Sequence, residues 1–528
     1  MATFKNRRDL ESGETQMKNL FPTRNVSSYV WLFGLICCLC AAATLGQDAT
    51  TAPKEQSAAE QTVAGEKKSE QTTAEPASGP AAVVGRIGTY VLTRKELEER
   101  LMTELHPDED IFDENARPAD AQSVLMKMVA EKALIMEARK QNILQDELVN
   151  ASIKRYRETR LVNLLAQRYV DQNRSKIVAA EDEIKAGIQA NPKLDPARAK
   201  AEIEQQKGGK LLNEYYMQIH TKSGLKKFSQ NLPKAIEVYQ RLLRQPKEAR
   251  RVPWIQNTQI KNELTPAEQD TVLAEYSGGK IAIKDWLEAY CDIVPPRRPV
   301  MDTPQAADEM LERALQMPLL VWEATSRGLD KDPELVKQVT EYEDRRLLGE
   351  ATAAKQKQAQ EPTPEEITAY FNENKEVFGT SKQLKIDLIW CDDLATARKA
   401  KAELDAGKDF GAVKEQYSLE KKGQAFNTQP SSEGLFWKDL WAGEPNSILG
   451  PLKGFYARGI KWRIVKILEK KPAQVKEYSP DMESQIKGRM MDGRRKQIIA
   501  QYNDELLKKY PFQIYADRIK DIDPLNIP

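Results

Sequence analysis

Two spacings of apolar residues organise this chain. In "AQSVLMKMVAEKALIMEARKQNIL", Leu125, Met128, Val129, Ile135 and Met136 recur near helical spacing with Lys132 among them, giving one apolar stripe. "DELVNASIKRYRETRLVNLLAQRYV" continues as a long helix. Ahead of these, "VVGRIGTYVLTRKELEERL" reads as a short strand pair entering a helix. Thr93 and Glu96 form a capping box at the helix start. Further on, "LKIDLIW" and "WRIVKIL" are β-branched, apolar runs of strand length. The pattern predicts a mainly α protein with one α+β insertion.

The helical pattern occurs twice. "AEYSGGKIAIKDWLEAY" repeats the strand-and-helix entry, with Ala282, Asp285 and Trp286 at the places of Thr93, Glu96 and Leu97. Glu137-Ala138 matches Glu323-Ala324, and Asp146 matches Asp332. Tyr156, Arg160 and Leu161 match Tyr342, Arg346 and Leu347. "AAEDEIKAGI" then matches "PTPEEITAYF". The first copy proceeds to "LLNEYYMQIHTKSGLKKF", and the counterpart in the second is "IIAQYNDELLKKYPFQIY" near the C-terminus. Tyr215, Ile219 and Lys222 there correspond to Tyr502, Leu506 and Lys509. The preserved order predicts one helical module duplicated, with a compact domain inserted in the second copy. The expected organisation is a first module at 83–250, a second at 251–382, the insert at 383–472, and a C-terminal helix at 473–528 completing the second module.

The first eighty residues concern location. Residues 28–46 form the one long apolar run. It follows a tail, 1–27, that holds Lys5, Arg7, Arg8, Lys18 and Arg24. A basic flank before an apolar run marks a signal peptide or a signal anchor. Either places the bulk of the chain in the periplasm or cell envelope, with the anchor as the membrane contact. Residues 47–82 are nearly devoid of large apolar side chains and read as a disordered tether.

Charge and composition exclude several classes. The 528-residue chain carries 80 basic and 79 acidic residues, a balance that gives no long-range field for nucleic acid. His106 and His220 are its 2 histidines, too few for a histidine metal cluster, and no cysteine spacing suits zinc. No cofactor or metal is expected. Of the 5 cysteines, Cys37, Cys38 and Cys40 crowd the apolar run. Cys291 and Cys391 stand alone, either as buried thiols or as a pair.

Within the insert, Asp392 or Asp393 serves as an N-cap and Gly407 as the stop of the same helix. "DFGAVKEQYSL" is a second helix, "SSEGLFW" is irregular, and "WRIVKIL" is the last strand. Gly407-Lys408-Asp409-Phe410, Tyr417-Ser418, Gly450-Pro451 and Ile464-Val465-Lys466-Ile467 resemble the parvulin (PpiC-type rotamase) domain. The helical modules, the envelope signal and the terminal helix resemble the SurA/PrsA/PpiD class of periplasmic folding factors. The resemblance implies a SurA-N-like helical chaperone module, and a peptidyl-prolyl cis–trans isomerase domain that also binds unfolded or nascent envelope proteins.

The family site departs at its centre. Parvulins bring a histidine on the first strand and one on the last strand into one apolar pocket. Those places fall on Asp387 and Arg463, and the insert has no histidine. The resemblance therefore implies a degenerate isomerase, and Asp387 and Arg463 are expected to form an ion pair across the sheet. Phe410, Phe436, Trp437, Trp441 and Trp462 are the candidate peptide-binding residues, with Phe436, Trp437 and Trp441 expected in a loop. Met126, Met128, Met136 and Met217 add soft apolar surface to the helical cradle. The favoured reading is a chaperone with weak or lost isomerase activity. The alternatives are an active parvulin-type isomerase and an envelope scaffold with one fixed partner.

Overall fold

A computed structural model describes residues 79–105, 119–191, 194–244, 254–457 and 459–527. The expected tail, the apolar run 28–46, most of the tether and His106 lie outside these residues. Among the described residues, no helix is long and apolar enough to cross a membrane.

The chain begins with a hairpin, β1 (Val83–Ile87) and β2 (Tyr90–Thr93), leading into α1 (Arg94–Leu105) and α2 (Ala121–Lys140). Next come α3 (Glu147–Gln172), α4 (Arg174–Ile177), α5 (Glu181–Ala190) and α6 (Pro196–Lys222). Strand β3 (Lys226–Lys227) and helices α7 (Leu232–Arg244), α8 (Asn257–Glu263) and α9 (Pro266–Gln269) lead to a second hairpin, β4 (Val272–Tyr276) and β5 (Gly279–Ala282). Helices α10 (Ile283–Cys291), α11 (Pro304–Ser326), α12 (Pro333–Gln356) and α13 (Pro364–Glu373) follow. The α/β body holds β6 (Gln383–Cys391), α14 (Leu394–Asp405), α15 (Phe410–Tyr417), β7 (Phe426–Thr428), α16 (Pro430–Glu433), α17 (Trp437–Trp441), β8 (Ile448–Tyr456) and β9 (Gly459–Lys471). Helix α18 (Glu483–Lys509) and β10 (Phe512–Ile514) complete the chain.

The contacts divide the chain into two units, with borders inside α3 at 150/151 and inside α12 at 342/343. In the unit spanning 151–342, Trp286 is fully buried among Leu165, Ile219, Leu273, Ile283, Leu311 and Leu315. Its sheet runs β3-β4-β5. In the other unit, β1 is the central strand of β10-β1-β2. The helical core there joins Leu97, Leu101, Val124, Leu125 and Val129 to Leu347, Leu506 and Tyr510.

Both sheets share one construction. Gly85 pairs with Leu92 and Ile514, with a bulge after Val83. Ala274 pairs with Ile281 and Lys227, with a bulge after Val272. The capping interactions recur: Thr93 N–H donates to Glu96 Oε2 at 2.7 Å, and Ala282 N–H to Asp285 Oδ2 at 2.8 Å. Asn142 at φ 56° and Gly328 at φ 71° both adopt the left-handed conformation that starts the short turn before the next helix. Asp146 and Asp332 then cap α3 and α12. Tyr156 and Tyr342 stack on each other at 4.1 Å.

The closing strands correct the expected organisation. The C-terminal helix was expected to complete the second module, yet α18 packs on α2 and β10 pairs with β1. The strand after α6, β3, pairs instead with β4. The hairpin at 83–93 is thus closed by the segment after α18, and the hairpin at 272–282 by the segment after α6. Burial supplies the physical reason: Leu506 and Tyr510 enter the core around α2, whereas Tyr215 and Ile219 enter the core around α10 and α11. The tether also ends earlier than its composition suggests. Ala82 is buried and its N–H donates to Gly79 O at 3.0 Å, while Lys95 N–H donates to Pro80 O.

Equivalent ion clusters pin these closing segments. Glu323, 1% exposed, accepts from Lys222 Nζ at 2.8 Å, Arg327 Nε at 2.7 Å and the Tyr215 hydroxyl at 3.2 Å. Glu137 accepts from Lys509 Nζ at 2.7 Å and the Tyr510 hydroxyl at 2.6 Å. Burial opposes ionisation of Glu323, but the hydrogen bonds from Lys222 and Arg327 outweigh it and hold its carboxyl below the ordinary range. Lys509, then Tyr510, lower Glu137 in the same way. A carboxylate with a depressed pKa contributes stability above the unfolded value of about 4.3, and that contribution is lost as pH falls through the folded value. We expect urea midpoints to drop on acidification below about pH 4. The drop should shrink in the Glu137→Gln/Glu323→Gln variant. An undiminished drop would assign acid sensitivity elsewhere.

Candidate functional site

The α/β body is a four-stranded antiparallel sheet of order β7-β6-β9-β8. Asp393 caps α14, its side chain accepting from Thr396 N–H at 2.7 Å, while Asp392 instead meets Lys461. Gly407, at φ 88°, ends the helix.

Successive side chains on a strand point to opposite faces. On one face Leu384, Ile386, Leu388 and Trp390 join Val465, Ile467, Trp437 and Leu440. On the other Ile389, Cys391 and Ile464 lie under α14 and α15, against Ala397, Leu404, Phe410 and Val413. Asp387 belongs to this helix-covered face. Its carboxylate accepts from Lys414 Nζ on α15, which also donates to Gly423 O at 2.7 Å.

Arg463 lies on the opposite face, in register with Trp390. Its Nη2 donates to Glu433 Oε2 at 2.7 Å, and Thr428 Oγ1 donates to Glu433 Oε1 at 2.7 Å. Arg463 Nε donates to Lys453 O at 3.3 Å. The guanidinium stands 5.4 Å from the Trp390 ring centre and 6.0 Å from that of Phe436. Arg463 is 2% exposed and Glu433 5%. A Cβ added at Gly454 would lie 2.3 Å from Arg463 Nε, so the strand needs glycine there for the side chain to lie flat against it.

The expected Asp387–Arg463 ion pair is therefore absent. The two residues occupy opposite faces, and a shift of one position along a strand reverses the face. Leu388 is the neighbouring β6 residue that shares the Arg463 face. Each charged residue has a different partner, Lys414 for Asp387 and Glu433 for Arg463.

The five aromatic candidates also divide. Phe410, buried, and Trp462, partly buried, belong to the helix-covered face. Phe436, Trp437 and Trp441 belong with the Arg463 face, on a short 3-10 turn and α17 where a loop was expected. Phe436 meets Phe455 edge-on at 5.0 Å. Trp437 stacks on Trp441 at 5.4 Å and is 1% exposed. Trp441 stays partly open, with Lys470 Nζ 4.8 Å from its ring centre. Leu449, Leu452 and Tyr456 border this face and are partly buried, which leaves an apolar rim beside the charged pair. Sequence reasoning missed Glu433, Thr428 and Lys414. The acid in "SSEGLFW" was visible, but its burial follows only from the sheet face it meets.

The one cysteine of this body is poorly suited to act as a nucleophile. Cys391 is a free thiol that burial, and then the Asp393 carboxylate, pushes up to about 11. Cys291 is free as well. No group of three or more metal-binding side chains occurs among the described residues.

No family model and no curated protein matches the sequence. Among solved structures, the chain is similar to one reported for SurA-like chaperones of Campylobacter jejuni, at 13% identity and TM-score 0.23, covering 46% of this chain and 100% of that one. A peptidylprolyl isomerase, PrsA, from Bacillus cereus is 21% identical at TM-score 0.20, covering 34% of this chain and 67% of that one. The foldase protein PrsA from Streptococcus pneumoniae is 16% identical at TM-score 0.21, covering 32% and 64%.

Proposed function

We propose that the chain is a cell-envelope folding factor that holds unfolded clients and does not catalyse prolyl isomerisation. The observation that carries this reading is the buried Arg463–Glu433 pair on the face where a rotamase would need an empty apolar pocket. Rotation about a peptide bond has a barrier of about 18–20 kcal/mol, which a catalyst lowers by enclosing and twisting the imide. Arg463, held by Glu433, Lys453 O and the Trp390 ring, occupies that face with a buried cation and, as a guanidinium, has no lone pair to offer. The parvulin-like motifs supply the body, and the residues that would work in it have become packing. The helical part is a duplicated SurA-like module whose closing segments are exchanged between copies, and the envelope location rests on residues 28–46.

Two assays with the full chain separate holding from catalysis. Aggregation of a chemically denatured client should be suppressed at near-stoichiometric chain. The slow phase of proline-limited refolding should keep its uncatalysed rate. Acceleration that disappears in the Arg463→Met/Glu433→Leu variant would replace this reading with that of an active isomerase.

A further inference from the structure

We infer that the outer arm of the first unit, formed by α4, α5 and the first half of α6, docks an unfolded client segment through an aromatic side chain. The inference rests on the folding-factor reading and assigns it a surface. The arm has a twin in α13 and the first half of α18, and the two are built alike. Ala180 N–H donates to Glu183 Oε2 at 2.7 Å, as Thr363 N–H does to Glu366 Oε2 at 2.7 Å. Lys207 pairs with Glu183 at 2.5 Å, and Arg494 with Glu366 at 2.7 Å. These contacts set Ile184 opposite Ile367 in the comparison, Ile188 opposite Phe371, and Ile203 opposite Met490.

The twins differ in what covers them. Ile367, Phe371 and Ile486 are buried in a cluster with Phe378. Phe378 and Tyr478 stand 5.7 Å and 5.4 Å from the Phe371 ring. Both covering residues belong to the stretches that lead into and out of the α/β body. The first arm has no such stretches, because α5 passes to α6 by a short connection. No described residue of α5 is buried. Ile177, Ile184, Ile188 and Ile203 remain partly open, and Val178 is 50% exposed. The covered arm shows what fits: an aromatic ring laid across residues four apart on the helix, brought by a short 3-10 turn at Phe378 and by irregular chain at Tyr478.

The test uses the full chain and a permanently unfolded probe, reduced and carboxymethylated α-lactalbumin. A photoreactive benzoylphenylalanine is placed at position 188 or, on the far side of α5, at position 186. Cross-linking to the probe is expected from 188, with roughly tenfold less from 186. Probe affinity, read by fluorescence anisotropy, should fall about tenfold in Ile184→Ser/Ile188→Ser. Equal cross-linking at the two positions, or unchanged affinity in the variant while the probe still binds, overturns the docking surface and leaves the folding-factor reading standing. Failure of the unaltered chain to bind the probe overturns both.

Discussion

Replacing Glu433 with alanine should destabilise the α/β body by about 3–5 kcal/mol, the usual cost of leaving one member of a buried pair without its partner. Arg463 would keep only Lys453 O as an acceptor while remaining 2% exposed. Thr428 Oγ1 would also lose its acceptor, adding about 1 kcal/mol. Nearby Trp390 and Trp437 make indole fluorescence a direct reporter of urea unfolding. Converting both members, as in Arg463→Met/Glu433→Leu, should recover most of the loss, since apolar packing commonly replaces a buried pair at little or no cost. A single-variant loss below about 1 kcal/mol would mean that water enters beside Arg463, and the filled-pocket argument would fall with it.

Trp286→Ala should be the most damaging substitution in the helical part. Its ring is fully buried, and Nε1 donates to Ala307 O at 3.1 Å. Removing so large a side chain from a close-packed core costs about 3–5 kcal/mol, a large share of the 5–15 kcal/mol typical of a folded unit. Loss of helical circular dichroism at lower urea is the readout. Trp286→Phe should lose less, since it keeps most of the volume and gives up the hydrogen bond. Equal losses for the two variants would place the energy in that hydrogen bond and not in packing.

Much of the local architecture was legible. The Thr93–Glu96 cap, the helical stripe around Val129 and the two apolar strand runs each follow from short-range chemistry, and each formed. Glu137, Glu323, Lys222 and Lys509 were legible as single positions too. Their partners were not. Strands β3 and β10 are two and three residues long, and nothing in so short a run names the hairpin it will join. At the candidate site, one position decided the outcome. Reading Asp387 as a neighbour of Arg463 ignored the pleat, and the pleat sends Asp387 to Lys414. Glu433 was hidden for a related reason: a charged residue in an irregular stretch reads as solvent-facing until the face of the sheet above it is known.

The pairing of β1 with β10 bears on how the chain matures. The hairpin of β1 and β2 is made more than 400 residues before its outer partner, Phe512–Ile514. For almost the whole of synthesis, β1 presents a bare edge and Leu97, Leu125 and Val129 lack Leu506 and Tyr510. Pairings that span so much sequence form slowly, so the edge of β1 and the core around α2 close only once β10 has been made.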